Sequence, residues 1–369
     1  MKKIFVITLP VVLVALLAGA VYFTNSHVTT AKVPVTKESQ LVSFHEARVR
    51  KQADDPDAYR KLAASYMVRA EATGDGADYD RALKSLDQSA SLAPSAIEIF
   101  QARASVLLSR HQFQDARTVA EQGLTKDPEN TELLGIAGDG ALQWGDLAGA
   151  EKHYRKIAEV QPNRAGPWAR LSQLAEVRGD LDEAAKLMTK AIDAGYPRPL
   201  SPTDFAWARA ILGEIELKRG NNAEARRQYM WALSKSPNHP LALEHLAELD
   251  EAEGDYAAAE AGFRKILDMR PDDAENKLRL AKLLERRGER KESTRLRGEA
   301  HDFSRRAVES GNDGYLRLLA TLELEAGNYA RAAELAARDL SLRPTDETRT
   351  FAQKVSDAAD AAGRPVKIL

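Results

Sequence analysis

Along most of this chain, apolar residues recur at intervals of three and four, the spacing of helices with one buried face. The pattern is cleanest from His239 to Pro271, where it predicts two amphipathic helices meeting at Gly254-Asp255. Leu243, Leu246 and Ala247 share a face of the first; Ala259, Phe263 and Ile266 share a face of the second. Ala247 and Ala259 carry almost no side chain, so the two backbones can approach closely there. Gly254 permits a tight reversal, and Pro271 cannot continue a helix. A hairpin of this kind cannot bury its apolar face alone and needs copies of itself on either side.

The copies are present. Prolines that close second helices stand at Pro94, Pro128 and Pro162, and again at Pro237 and Pro271, each step being 34 residues. On that register a pair of small residues recurs: Ala104/Ala116, Gly138/Ala150, Ser172/Ala184, Gly213/Ala225, Ala247/Ala259 and Ala320/Ala332. Four positions after most second members comes a larger residue, namely Tyr154, Met188, Tyr229 or Phe263. Tyr59-Leu62-Ala63-Tyr66, Ala150-Tyr154-Pro162, Ala225-Tyr229-Pro237 and Ala259-Phe263-Pro271 together resemble the tetratricopeptide repeat family. The resemblance covers about eight repeats, roughly Asp55 to Pro344. It implies an all-α solenoid, a right-handed superhelix whose concave groove, lined by the first helix of each hairpin, holds a segment of another protein.

The departures from the period are local. The first repeat has a longer connection near Thr73-Gly74-Asp75-Gly76. Tyr196 to Pro202 is a proline-rich insertion. The seventh repeat begins regularly at Leu280-Ala281-Leu284-Gly288 and then gives way to a charged run from Glu289 to Arg306. Short helices are expected at both ends of the array, as caps for its otherwise open faces.

The N-terminus has a different pattern. Lys2 and Lys3 precede an uncharged run from Ile4 to Phe23, broken only by Thr8, Pro10 and Gly19. Twenty helical residues span about 30 Å, the thickness of a bilayer's hydrocarbon core. A cleaved signal peptide ending at Ala18-Gly19-Ala20 is the alternative; the run outlasts that site, which favours an uncleaved anchor. The expected organisation is an anchor at 1–23, a tether at 24–36, a capping helix at 37–54, the repeat array at 55–344, and a closing helix and tail at 345–369.

Composition narrows the function. Acidic and basic residues number 55 and 53, so no global field favours nucleic acid. The absence of cysteine excludes disulfides, Cys-ligated zinc, thiol catalysis and an N-terminal lipoprotein anchor. No phosphate-binding loop, GxSxG elbow or HExxH pair occurs. Gly135, Gly138 and Gly140 fall inside a predicted helix and read as packing positions. His239 and His245 are too far apart to share a helical face as metal ligands. Asp75, Asp78 and Asp80 read as a turn and helix cap rather than a calcium site. Trp168 reads as core.

The expectation is therefore a non-catalytic scaffold or assembly factor without cofactor, metal, nucleic acid or small-molecule substrate. It would be held as a single-pass protein in a bacterial cytoplasmic membrane through residues 4–23, with its repeats on the outer, periplasmic side. A cytoplasm-facing regulatory adaptor, and a secreted form after cleavage, are the alternatives. By the register of the resemblance, the groove of the third to sixth repeats is lined by Asp139, Gln143, Gln173, Glu176, Glu214, Glu244, Glu248 and Glu251, with none of these basic. Lys218 falls at the margin, and Lys282 and Arg286 appear only in the seventh repeat. Such a lining is either a solvated acidic face or a site for a peptide or helical segment bearing Lys or Arg. Trp207 falls on the same lining, as an apolar anchor or as support for the proline-rich insertion.

Overall fold

The computed structural model describes residues 36–194, 200–366 and 368. Helices and short connections account for them, with no strand among the described residues. The first helix is α1 (Lys37–Lys51) and the last is α18 (Asp346–Ala361). Between them lie eight hairpins. They pair α2 (Pro56–Thr73) with α3 (Ala77–Leu92), α4 (Ile97–Ser109) with α5 (Phe113–Leu124), α6 (Thr131–Gln143) with α7 (Leu147–Val160), and α8 (Ala165–Val177) with α9 (Leu181–Asp193). The remainder are α10 (Pro202–Lys218) with α11 (Asn222–Lys235), α12 (Pro240–Glu253) with α13 (Tyr256–Met269), α14 (Ala274–Arg286) with α15 (Arg290–Glu309), and α16 (Leu316–Glu325) with α17 (Tyr329–Leu342). No described helix is long and apolar enough to cross a membrane. The run 4–23, the tether up to residue 35 and residues 195–199 of the insertion lie outside the described residues.

Local chemistry sets the hairpins. In α12–α13 the reversal is made by Gly254 at φ 89°, a left-handed conformation that costs glycine nothing. Asp255 then caps α13 by accepting a hydrogen bond from the Ala258 N–H at 3.0 Å. His111 holds the equivalent turn of α4–α5 at φ 64° without being glycine. The small-residue pairs are where helices touch. A Cβ on Gly213 would stand 2.4 Å from the Tyr229 ring, and one on Gly262 would stand 2.8 Å from the Ala247 Cβ. Ser172 uses the same closeness to donate to the Ala184 carbonyl at 2.7 Å. Tyr154, Tyr229, Phe263 and Met188, the larger residues of the register, are all fully buried.

The chain forms two compact units. One comprises the residues up to Gly140 with Ala307–Gly314; the other comprises Ala141–Arg306 with Tyr315–Leu369. In the first, Leu62, Tyr66, Tyr79 and Leu86 form one core, and Phe113, Leu133 and Ile136 form the next. A Cβ on Gly140 would meet the Phe113 carbonyl oxygen at 2.8 Å, so this glycine is a packing position. Within the same unit the long connection of the first repeat meets the turn after α15. The Gly76 N–H donates to Ser310 Oγ at 2.9 Å, and Asn312 Nδ2 donates to the Gly74 carbonyl at 3.3 Å. Asp78, at 1% exposure, is gripped by Arg69 through two bonds of 2.6 Å and by Arg81. Burial alone would raise its carboxyl; the two guanidinium groups hold it below the ordinary range.

In the second unit Leu243, Phe263, Ile266, Leu280 and Leu284 share a core. The charged run lies in one continuous helix, α15, and its charges find partners: Lys277 pairs with Glu299 at 3.0 Å, Arg297 with Glu285 at 2.7 Å, and Arg264 with Glu292 at 3.0 Å. Trp168 corrects the sequence reading. It is half-buried, its indole N–H donates to the Pro162 carbonyl at 2.9 Å, and the Lys190 ammonium lies 3.3 Å from the ring centre.

The buried slot gives a direct test. Phe263→Ala is expected to cost about 3–5 kcal/mol, the range for emptying a core aromatic site. Denaturant melts that superimpose on wild type would show that the slot is not shared core.

Candidate functional site

In the second unit, the first helices of successive hairpins carry a ladder of charged side chains. Lys218 on α10 binds Glu214 at 2.7 Å and also pairs with Glu176 on α8. His245 on α12 places Nδ1 3.2 Å from Glu248 and Nε2 3.6 Å from Glu214. Arg279 on α14 bridges back to Glu244 at 2.9 Å and to Glu248. Asn276 adds a bond from Nδ2 to Glu244 at 3.2 Å. The ladder thus runs through four helices without a break.

Each rung follows from its surroundings. Burial lowers the basicity of the His245 ring, which the facing Glu214 and Glu244 only partly offset. Neutral His245 can then lie against the Tyr229 ring, with centroids 5.7 Å apart. Burial also raises the Glu176 carboxyl, against the pull of Lys218. Burial works against the Lys218 ammonium, but Glu214 and Glu176 outweigh it and raise its pKa. His239 has another task. It caps α12, accepting from the Ala242 N–H at 3.4 Å, and its own proton affinity is pushed down to about 4 by burial.

The predicted site residues separate into groups. Glu176, Glu214, Glu244 and Glu248 come together in the ladder. Glu251 lies further along α12 and pairs with Arg286. Gln143 and Gln173 are half-buried on α6 and α8. Asp139 is half-buried and belongs to the other compact unit. Trp207 is half-buried, with its indole N–H enclosed and lacking an acceptor.

The picture of a lining without basic residues is corrected. Lys218 is a central rung rather than a margin, and Arg279, which the repeat register does not single out, reaches across from the next repeat. Four carboxylates share these two cations, so the face keeps an acidic excess. Lys282 is committed to Glu325 at 2.8 Å. A second cluster also escaped the sequence reading. The Arg209 guanidinium lies 3.6 Å from the Trp231 ring centre and 5.0 Å from that of Phe205. No group of three or more His, Asp or Glu that could hold a metal occurs among the described residues.

Comparison with known proteins agrees with the repeat register. The tetratricopeptide repeat pattern matches residues 102–167, 137–199 and 212–274. A TPR repeat-containing protein of Pseudomonas aeruginosa is 32% identical over 171 residues, which is 46% of this chain and 28% of that protein. The cellulose synthase 1 operon protein C of Komagataeibacter xylinus is 25% identical over 157 residues, 41% of this chain and 12% of that protein. The chain therefore spans under a third of the length of either relative. Among solved structures, a thermophilic TPR protein of Thermus thermophilus is 22% identical with a TM-score of 0.46, covering 51% of this chain and 99% of that one.

Glu275, on the first turn of α14, supplies a pH test. It falls 34 positions after Leu241 and 68 after Trp207, at the same place in its repeat. Burial, reinforced by Glu244 and Asp273, pushes its carboxyl up to about 8. A raised carboxyl favours the fold below its unfolded value, and that advantage is lost as pH rises through the folded value. Glu275→Gln is therefore expected to leave stability unchanged at pH 4 and to raise it by about 1–3 kcal/mol at pH 9. Equal denaturant midpoints for variant and wild type at pH 9 would show Glu275 to be solvated.

Proposed function

We propose that this chain, a tetratricopeptide repeat protein, is a non-catalytic scaffold of the bacterial cell envelope. It holds a Lys- or Arg-bearing segment of another protein against the first-helix face of its repeats. Residues 4–23 anchor it in the cytoplasmic membrane, with the repeats on the outer side. The observation that carries the reading is the ladder on α8, α10, α12 and α14, a polar face that crosses four repeats and keeps more carboxylates than cations. Such a face suits an extended or helical basic segment better than a small molecule. The internal pairing makes the face rigid, so little ordering is needed when a partner docks. The remaining negative charge speeds and orients the encounter more than it tightens the complex. The uncharged run from Ile4 to Phe23 supports the anchor, and the two preceding lysines support its orientation.

Photo-crosslinkers placed at Gln173 on α8 and at Lys186 on α9 test the partner face in intact membranes. A discrete protein adduct is expected at Gln173 and not at Lys186. Its yield should fall severalfold as salt rises from about 50 to 500 mM, because the screening length shrinks from about 14 to about 4 Å over that range. Equal labelling at both positions would sink the groove reading. An adduct indifferent to salt would remove the basic segment from it. Carbonate washing tests the anchor separately: the chain should stay in the membrane pellet, and recovery of a soluble form beginning at Val21 would establish cleavage instead.

A further inference from the structure

We infer that the outward face of α1 lies on the lipid surface of the membrane that holds the chain. This rests on the reading of residues 4–23 as an anchor. The inner side of α1 is committed: Val42 is 1% exposed in the core with Leu62 and Tyr66, and Glu46 accepts from the Tyr66 hydroxyl at 2.8 Å. The outer side is not. Leu41 is 40% exposed and Phe44 is 64% exposed, making Phe44 the most exposed of the large apolar side chains described. Leu41, Phe44 and Lys51 fall at helical spacing on one stripe. Arg50 and Lys51 in the last turn are exposed and have no carboxylate partner among the described residues, whereas Arg48 is held by Asp55 at 3.1 Å. An aromatic and an aliphatic side chain followed by an exposed arginine and lysine match the boundary between acyl chains and anionic headgroups.

The preceding chain selects a bilayer as the occupant. About 13 residues separate Phe23 from Lys37, and a chain of that length reaches at most roughly 45 Å when fully extended. α1 therefore cannot leave the neighbourhood of the membrane once residues 4–23 are inserted. Two apolar side chains would not hold a free helix on a bilayer. A short connection to an inserted segment raises the effective concentration of that surface to about the millimolar range, where a weak contact suffices.

The chain has no cysteine, so a single introduced thiol can be labelled cleanly. Phe44→Cys on α1 and Gln88→Cys on α3, each in the full chain and carrying a polarity-sensitive fluorophore, would be compared in bilayers doped with a lipid-borne quencher. Quenching at position 44 is expected to exceed that at 88 by about threefold or more, with a blue-shifted emission. Membrane-retained chain with equal quenching at both positions would overturn the lipid contact and leave the anchor standing. Chain lost to the carbonate supernatant would overturn both. Emission at 44 that follows protein concentration but ignores the quencher would assign the face to a second copy of the chain, and would also overturn the inference.

Discussion

Two helices can share one hairpin here only because one position on each nearly lacks a side chain. Tyr229 lies so close to Gly213 that a single added carbon would stand 2.4 Å from its ring, and Gly262 meets Ala247 in the same way. That closeness admits a large residue one turn on, which is why Tyr154, Tyr229 and Phe263 are fully buried in what would otherwise be a thin two-helix layer. Tyr154, Tyr229 and Phe263 are among the largest fully buried side chains of a sequence with only 6% aromatic residues. The Tyr229 hydroxyl has no partner in its buried setting, a cost that Phe263 avoids in the next repeat. The period of the chain is thus the period of this contact.

Charge sets how neighbouring hairpins align. The residue before the turn glycine pairs with the second helix of the preceding hairpin: Arg178 with Glu151 at 2.6 Å, Arg219 with Asp182 at 2.6 Å, and Arg287 with Glu260. At the sixth repeat the signs are exchanged, and Glu253 pairs with Arg226 at 2.7 Å. Exposed pairs of this kind contribute about 0–1 kcal/mol each, too little to hold an array together. Their value lies in register. A hairpin slid by one turn, or stacked on the wrong neighbour, would face like charge at the exchanged pair. The ladder between first helices adds a second set of pairs, so each interface in this region is held by both.

What could be read from the sequence was whatever repeats. Small pairs, the aromatic slot and turn glycines recur every 34 residues, so the hairpins and their buried faces were legible. Charged pairs can recur in spacing without recurring in identity: Arg178–Glu151 and Arg287–Glu260 are 27 positions apart, and Glu253–Arg226 has the same spacing with the signs exchanged. Arg279 reaches Glu244 and Glu248 from a different repeat, and a side chain of that length can choose among several acids. A register that assigns lining positions by number therefore finds the glutamates and misses what neutralises them. His111 shows the limit at a turn, since its left-handed backbone is recognisable only by its alignment with glycines elsewhere.

The two irregularities of the first compact unit explain each other. The connection at Thr73–Gly76 is longer than a repeat needs, and so is the stretch that ends at Ser310–Asn312; they meet across 234 positions of sequence. Gly76 has no side chain at a point where a Cβ would strike the backbone of residues 310–312 at 2.5 Å, so the two segments approach closely enough for the Ser310 and Asn312 side chains to bond the backbone of Gly74 and Gly76. Buried Asp78, locked between Arg69 and Arg81, fixes the loop before it reaches across. In an ideal repeat array each hairpin is stabilised only by its immediate neighbours, and unfolding can begin at any weak one. Residues 307–314 depart from that rule, because within their unit they pack against the connection of the first repeat, far away in sequence. The entropy cost of closing so long a loop grows only with the logarithm of its length. A few well-placed hydrogen bonds and a missing side chain can therefore hold a distant segment of the chain against the first repeat.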